Sequence, residues 1–135
     1  IIGVKEASGN FDQFNRIIKE KPADFLIISG DDPITLPMIS MGAVGVISVV
    51  GNALPNIFST MVRMCLDGKF AEALPLHYSL IDITGHFFAE GNPAGVKAAL
   101  KQLEICGDTV RLPLVKVSES LEQNISDQLQ QLGLA

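Results

Sequence analysis

The sequence predicts an α/β chain: the last three βα units of a (β/α)8 TIM barrel over residues 1–68, then a three-helix C-terminal domain over residues 69–135. Three observations carry this. Unbroken apolar runs of strand length alternate three times with helix-period segments, the pattern of a parallel sheet covered by helices. After Gly68 the strand signal stops and helical periodicity continues. Three parallel strands by themselves present naked hydrogen-bonding edges, whereas eight such units close into a barrel in about 250 residues. We therefore expect the upstream half of the barrel to lie outside this sequence.

The first run, IIGVKEAS at 1–8, reads as a buried strand. A helix follows near 10–21, its apolar face carried by Phe11, Phe14, Ile17 and Ile18, with Asn10 as N-cap and Lys21-Pro22 as the stop. DFLIISG at 24–30 is the second strand. The next segment, 31–41, is helical, with Asp32 suited to cap it and Pro33 to its first position. GAVGVISVV at 42–50 is the third strand, rich in β-branched residues, and its helix runs from Pro55 to Leu66 before Asp67-Gly68. Beyond Lys69, Phe70, Leu74, His77, Leu80, Ile81, Ile83 and Phe87 outline one long helix. Residues 93–105 and 118–132 form two more, joined by an extended connector that contains Pro113.

Composition removes several classes of function. A net charge of -5 gives no basic footprint for nucleic acid or an anionic membrane. No apolar stretch approaches the ~20 residues of a membrane-spanning helix. Charged residues make up 19% against about 25% in ordinary soluble chains, so much of this surface is expected to be buried. Cys65 and Cys106 are isolated and His77 and His86 stand nine apart, so no metal spacing occurs. Two free thiols and no basic leader before an apolar core point to a reducing, cytoplasmic setting. The Asn124-Ile125-Ser126 sequon matters only in a secreted chain and is read as chance.

Chemistry on such sheets sits at the carboxyl ends of the strands. Those ends are Lys5-Glu6-Ala7-Ser8, Ser29-Gly30-Asp31-Asp32 and Val46-Ile47-Ser48-Val49. Alternation puts Gly3, Lys5 and Ala7 on one face, the small residues leaving room for a long side chain across a barrel interior. Burial disfavours an ammonium, and a neutral amine attacks a carbonyl carbon to give an imine, which acts as an electron sink without metal or cofactor. The plainer reading is a lysine that reaches solvent or pairs with Glu6. Gly30 permits close backbone approach or simply a turn, and Ile47 is otherwise barrel core. Asp31 and Asp32 are an acid–base pair or, more simply, helix-capping groups at a positive helix end. Lys97 lies on a helix and is expected to be solvated.

The segments GVKEASG (3–9), SGDDPITLPMISMGAVGVISVVGN (29–52), VRLPL (110–114) and NPAGVKAALKQLEI (92–105) resemble the dihydrodipicolinate synthase family, pyruvate-dependent class I aldolases related to N-acetylneuraminate lyase. The resemblance runs over essentially the whole chain. It implies a lyase of lysine and diaminopimelate biosynthesis in which Lys5 forms a Schiff base with pyruvate, Gly30 and Ile47 line the pyruvate site, and the enamine condenses with aspartate semialdehyde. It implies no cofactor and no metal. It also implies a homo-oligomer, dimer or tetramer, associating partly through outer helices where Phe11 and Met41 are candidate contacts. The family's proton-relay hydroxyls, its aldehyde-binding arginine and its carboxylate-holding loop all fall upstream; Tyr78, the only tyrosine, lies in the helical tail. The isolated segment is therefore expected to be inactive. The alternatives are another aldolase of the N-acetylneuraminate lyase type and a non-catalytic half-barrel.

Overall fold

The structure, a computed structural model, describes residues 1–134. They form two compact units, one of residues 1–48 with 56–78, the other of residues 49–55 with the described residues from 79 onward.

In the first unit, β1 (Gly3–Glu6) pairs in parallel with β2 (Leu26–Ser29), Lys5 level with Ile28 and Glu6 with Ser29. The helix α1 (Phe11–Glu20) crosses between them. Its N-cap is Asn10, whose side chain accepts the Gln13 N–H at 3.0 Å, and it ends at Lys21 before Pro22, as the capping pattern predicts. Phe14 from its apolar stripe is wholly buried, its ring 5.6 Å from that of Phe11.

After β2 a 3₁₀ turn at Asp32–Ile34 leads into α2 (Thr35–Ser40), which packs against β2. The capping position is Asp31, not the expected Asp32, and its side chain makes no cap bond. The third strand is also less regular than expected. Residues around 44–47 lie parallel to β2, held by Val44 N–H to Ile27 carbonyl (2.9 Å), Ser29 N–H to Gly45 carbonyl (2.8 Å) and Ile47 N–H to Ser29 carbonyl (2.9 Å). The ladder amounts to one bridge, Ser29 with Val46. Gly42 at φ +115° turns the chain just before the segment, and Gly45 inside it contributes no side chain to the strand. The helix α4 (Pro55–Leu66) follows with Phe58, Met61 and Cys65 buried, then α5 (Phe70–Ser79) with Ala73 buried.

The buried residues of the first unit's sheet all lie on one face. Glu6, Ile27 and Ser29 are buried, whereas Lys5, Leu26 and Ile47 are exposed. The expectation of a first strand buried throughout is thereby corrected: of β1, only Glu6 is buried. On the face that carries Lys5, Ala7 is exposed as well.

The second unit begins with the short helix α3 (Val50–Ala53), which packs on α7 (Ala94–Gln102). The long helix expected over 70–87 is divided at Leu80, and α6 spans Ile81–Ala89. At the start of α6 the Leu80 carbonyl accepts both the Thr84 N–H (3.0 Å) and the Thr84 hydroxyl (2.5 Å). The helices α6, α7 and α8 (Glu119–Gln131) pack on one another around Ile83, Phe87, Ala99, Leu121, Ile125 and Leu129. At Gly95 the α7 backbone comes so close to Phe87 that a Cβ would lie 2.5 Å from its carbonyl oxygen.

The connector between α7 and α8 is held by charge. Lys101 bridges Asp108 (3.2 Å) and Glu122 (2.8 Å), and Lys116 meets Asp108 at 2.7 Å. Those bonds, Lys116 first, hold the Asp108 carboxyl down at about 2. Ser118 caps α8 and gives both its N–H and its hydroxyl to the Glu90 carboxylate, at 2.7 and 2.5 Å. Among the described residues no helix is long and apolar enough to cross a membrane.

Candidate functional site

The three residues singled out from the sequence come together on the open face of the first unit. Lys5 is on β1, and Gly30 follows β2 directly. The register Glu6–Ser29–Val46, carried one residue further, sets Ala7, Gly30 and Ile47 level with one another. Parallel neighbours in register share a face, and Lys5 lies two residues before Ala7 on that face. A Cβ built on Gly30 would lie 2.6 Å from Lys5 Cε, 2.9 Å from Lys5 Cγ and 2.7 Å from Ala7 Cβ. The lysine stem therefore runs across the glycine, and only the missing side chain makes room for it. The Gly30 N–H donates to the Glu6 carbonyl at 2.7 Å, which fixes the two strand ends together.

The expected desolvation of Lys5 is not found: the side chain is exposed in this chain, and Ile47 beside it is 55% exposed. The physical reason is the bare face. Lys5, Ala7 and Ile47 on that side are all exposed, so water reaches the amine. The pairing of Lys5 with Glu6 does not occur either, because strand alternation sends the two to opposite faces. Glu6 is 5% exposed; its Oε1 accepts the Ser8 N–H (3.0 Å) and the Gln13 side-chain amide (3.4 Å), while its Oε2 is buried without a partner.

The strand-end acids sit close by. Burial, then the neighbouring Asp32 and Glu6 carboxylates, pushes the Asp31 carboxyl up. Asp32 is buried within the 3₁₀ turn. Among the described residues no group of three or more histidine, cysteine or acidic side chains is arranged to hold a metal ion.

Sequence reasoning overlooked two hydroxyls behind Gly30. Ser29 and Thr35 are both wholly buried and hydrogen-bonded to each other at 3.0 Å. The available signal was their position: Ser29 falls on the covered face by alternation, and Thr35 lies four residues after Asp31, in reach of its carbonyl. Lys97 lies on α7, as the sequence suggests, and Phe11 and Met41 are exposed.

Residues 1–132 match the Dihydrodipicolinate synthetase family. A 4-hydroxy-tetrahydrodipicolinate synthase of Phocaeicola vulgatus is 55% identical over 115 residues, covering 85% of this chain and 39% of the relative. The crystal structure of dihydrodipicolinate synthase from Aquifex aeolicus superposes with a TM-score of 0.95 at 38% identity, covering 99% of this chain and 46% of that one. The chloride-inhibited dihydrodipicolinate synthase from Acinetobacter baumannii, solved in complex with pyruvate, gives a TM-score of 0.94 at 27% identity over all of this chain and 46% of that one. The chain spans less than half the length of these relatives. Its fold is that of the last three βα units of a (β/α)8 barrel followed by a helical extension.

Proposed function

Because the chain belongs to the dihydrodipicolinate synthetase family, we propose that it is the part of a 4-hydroxy-tetrahydrodipicolinate synthase that carries the imine-forming lysine, Lys5, with Gly30 and Ile47 lining the pyruvate site. The observation that carries this reading is the lysine stem laid across Gly30 at the carboxyl ends of parallel strands.

The chemistry follows from an amine at that place. The Lys5 nitrogen bonds to the ketone carbon of pyruvate, and loss of water leaves an imine. The protonated imine draws electrons from the neighbouring methyl group, which sheds a proton to give an enamine. The enamine carbon attacks the aldehyde of aspartate semialdehyde; cyclisation through the aldehyde component's own amine then releases Lys5. No metal or added cofactor is needed. The remaining barrel strands cover the bare face and exclude water from the amine. A homo-oligomer forms through outer helices, Phe11 and Met41 being exposed there. The free thiols Cys65 and Cys106 suit the cytoplasm.

The exposure of Lys5 supports a second statement: this segment by itself is inactive. Treatment of the protein at its full encoded length with pyruvate and borohydride, followed by peptide mass spectrometry, tests the reading. A stable adduct on Lys5, abolished in Lys5→Ala with the melting temperature kept, is expected. Absence of any adduct in the unaltered protein defeats it.

A further inference from the structure

The turn after β2 contains a closed ring of hydrogen bonds. The Asp31 N–H donates to Ser29 Oγ at 3.2 Å, Ser29 Oγ lies 3.0 Å from Thr35 Oγ1, and Thr35 Oγ1 donates to the Asp31 carbonyl at 2.8 Å. Each hydroxyl has one proton. Two proton arrangements satisfy every member, and in both the Asp31 N–H goes to Ser29: either Ser29 O–H goes to Thr35 and Thr35 O–H to the Asp31 carbonyl, or Thr35 O–H goes to Ser29 and Ser29 O–H to that carbonyl. Ser29 Oγ has that same carbonyl, at 3.0 Å, as an alternative acceptor. Both side chains are wholly buried, where an unmade bond costs most.

The ring fixes more than itself. The Gly30–Asp31 peptide is trans, since the cis bonds are at Asn92-Pro93 and Leu112-Pro113. In a trans peptide the C=O points opposite to the N–H. The Asp31 N–H is aimed at the buried Ser29 hydroxyl, so the Gly30 carbonyl points away from that hydroxyl. The Gly30 N–H is tied separately to Glu6.

We propose that Ser29 and Thr35 are positioning residues that aim the Gly30 carbonyl at the adduct forming on Lys5; this rests on Lys5 being the imine-forming lysine. When the lysine nitrogen bonds to the ketone carbon, the C=O π pair moves to oxygen, and the proton shed by nitrogen goes to that oxygen. The carbinolamine O–H so formed is a new donor, absent from free pyruvate. The Gly30 carbonyl is its acceptor. The ring therefore acts on the step after binding.

The test uses the protein at its full encoded length and three variants: Thr35→Val, Thr35→Ser and Ser29→Ala. The readouts are the rate of borohydride-trapped pyruvate adduct on Lys5, its dependence on pyruvate concentration, and the melting temperature. Thr35→Val and Ser29→Ala should each slow trapping about five- to tenfold, with the half-saturating pyruvate concentration moved less than about twofold. Thr35→Ser should restore the rate, because it keeps the hydroxyl. Unchanged trapping in Thr35→Val and Ser29→Ala, with only a lower melting temperature, overturns the proposal while leaving the lysine chemistry standing. So does a Thr35→Ser rate as low as that of Thr35→Val. Ser29→Ala breaks the ring from its other end and decides the matter if Thr35→Val does not fold. An unaltered protein that traps no pyruvate defeats the lysine reading and this proposal together.

Discussion

Replacing Gly30 by alanine tests the geometry on which the site depends. The added Cβ would sit 2.6 Å from Lys5 Cε and 2.7 Å from Ala7 Cβ, against the ordinary carbon–carbon contact of about 3.5–4.0 Å. Lys5 can swing its stem away, but Ala7 Cβ is fixed to the β1 backbone, so the two strand ends must part by close to 1 Å. Gly30 is not among the positive-φ residues, so alanine suffers no backbone strain there. Overpacking of this kind costs about 1–3 kcal/mol, partly offset by the roughly 0.4–1 kcal/mol that alanine contributes by restricting the unfolded chain. The net loss is about 1–2 kcal/mol, a moderate fall in melting temperature. The chemical effect is larger, because a displacement of ~1 Å at a reacting group costs on the order of a hundredfold. Borohydride trapping of pyruvate on Lys5 in full-length Gly30→Ala should thus collapse while the protein still melts cooperatively. Trapping at the unaltered rate would refute the view that the lysine stem needs the space over Gly30.

Three further outcomes are expected. Gly95→Ala forces a Cβ to 2.5 Å from the Phe87 carbonyl oxygen and 2.6 Å from its Cα, backbone atoms that cannot rotate aside; thermal melts should show a loss of about 3 kcal/mol or more. Asp108 has its carboxyl held at about 2 rather than its ordinary 3.8 by Lys116 and Lys101. Its stabilising contribution is complete above the unfolded value and disappears as pH falls through the folded one, so the stability difference between the unaltered chain and Asp108→Asn should shrink between about pH 4 and pH 2. Denaturant titrations across that range check it. The 135-residue chain alone should self-associate in sedimentation experiments, because Ile1, Ile2, Leu26, Val44 and Ile47 are exposed in its sheet unit; a soluble monomer at high concentration would contradict this.

Much of the fold was legible because local rules decide it. Asn10 begins a helix through its own side chain, Pro22 follows the end of that helix, and Ser118 starts the last one. The third strand was the weaker reading: its β-branched residues suggested a regular strand, but Gly42 and Gly45 left one bridge and three backbone bonds. The division of the long helix at Leu80 is not recorded by apolar spacing, which continues across it. Of Asp31 and Asp32, both read as capping groups, Asp31 takes the position before the 3₁₀ turn without a side-chain cap bond, and the Ser29 and Thr35 hydroxyls bond to its backbone.

By itself the sequence determined the strand–helix order, the family, and which strand ends hold Lys5, Gly30 and Ile47, because periodicity and motif are properties of the chain. Only the tertiary structure decided that the lysine stem fills the gap over Gly30, that Glu6 turns away from it into the buried face, and that the amine is wet. Side-chain direction follows from register between strands, and hydration follows from what covers a face. Both arise between segments far apart in the chain, where no local pattern reaches.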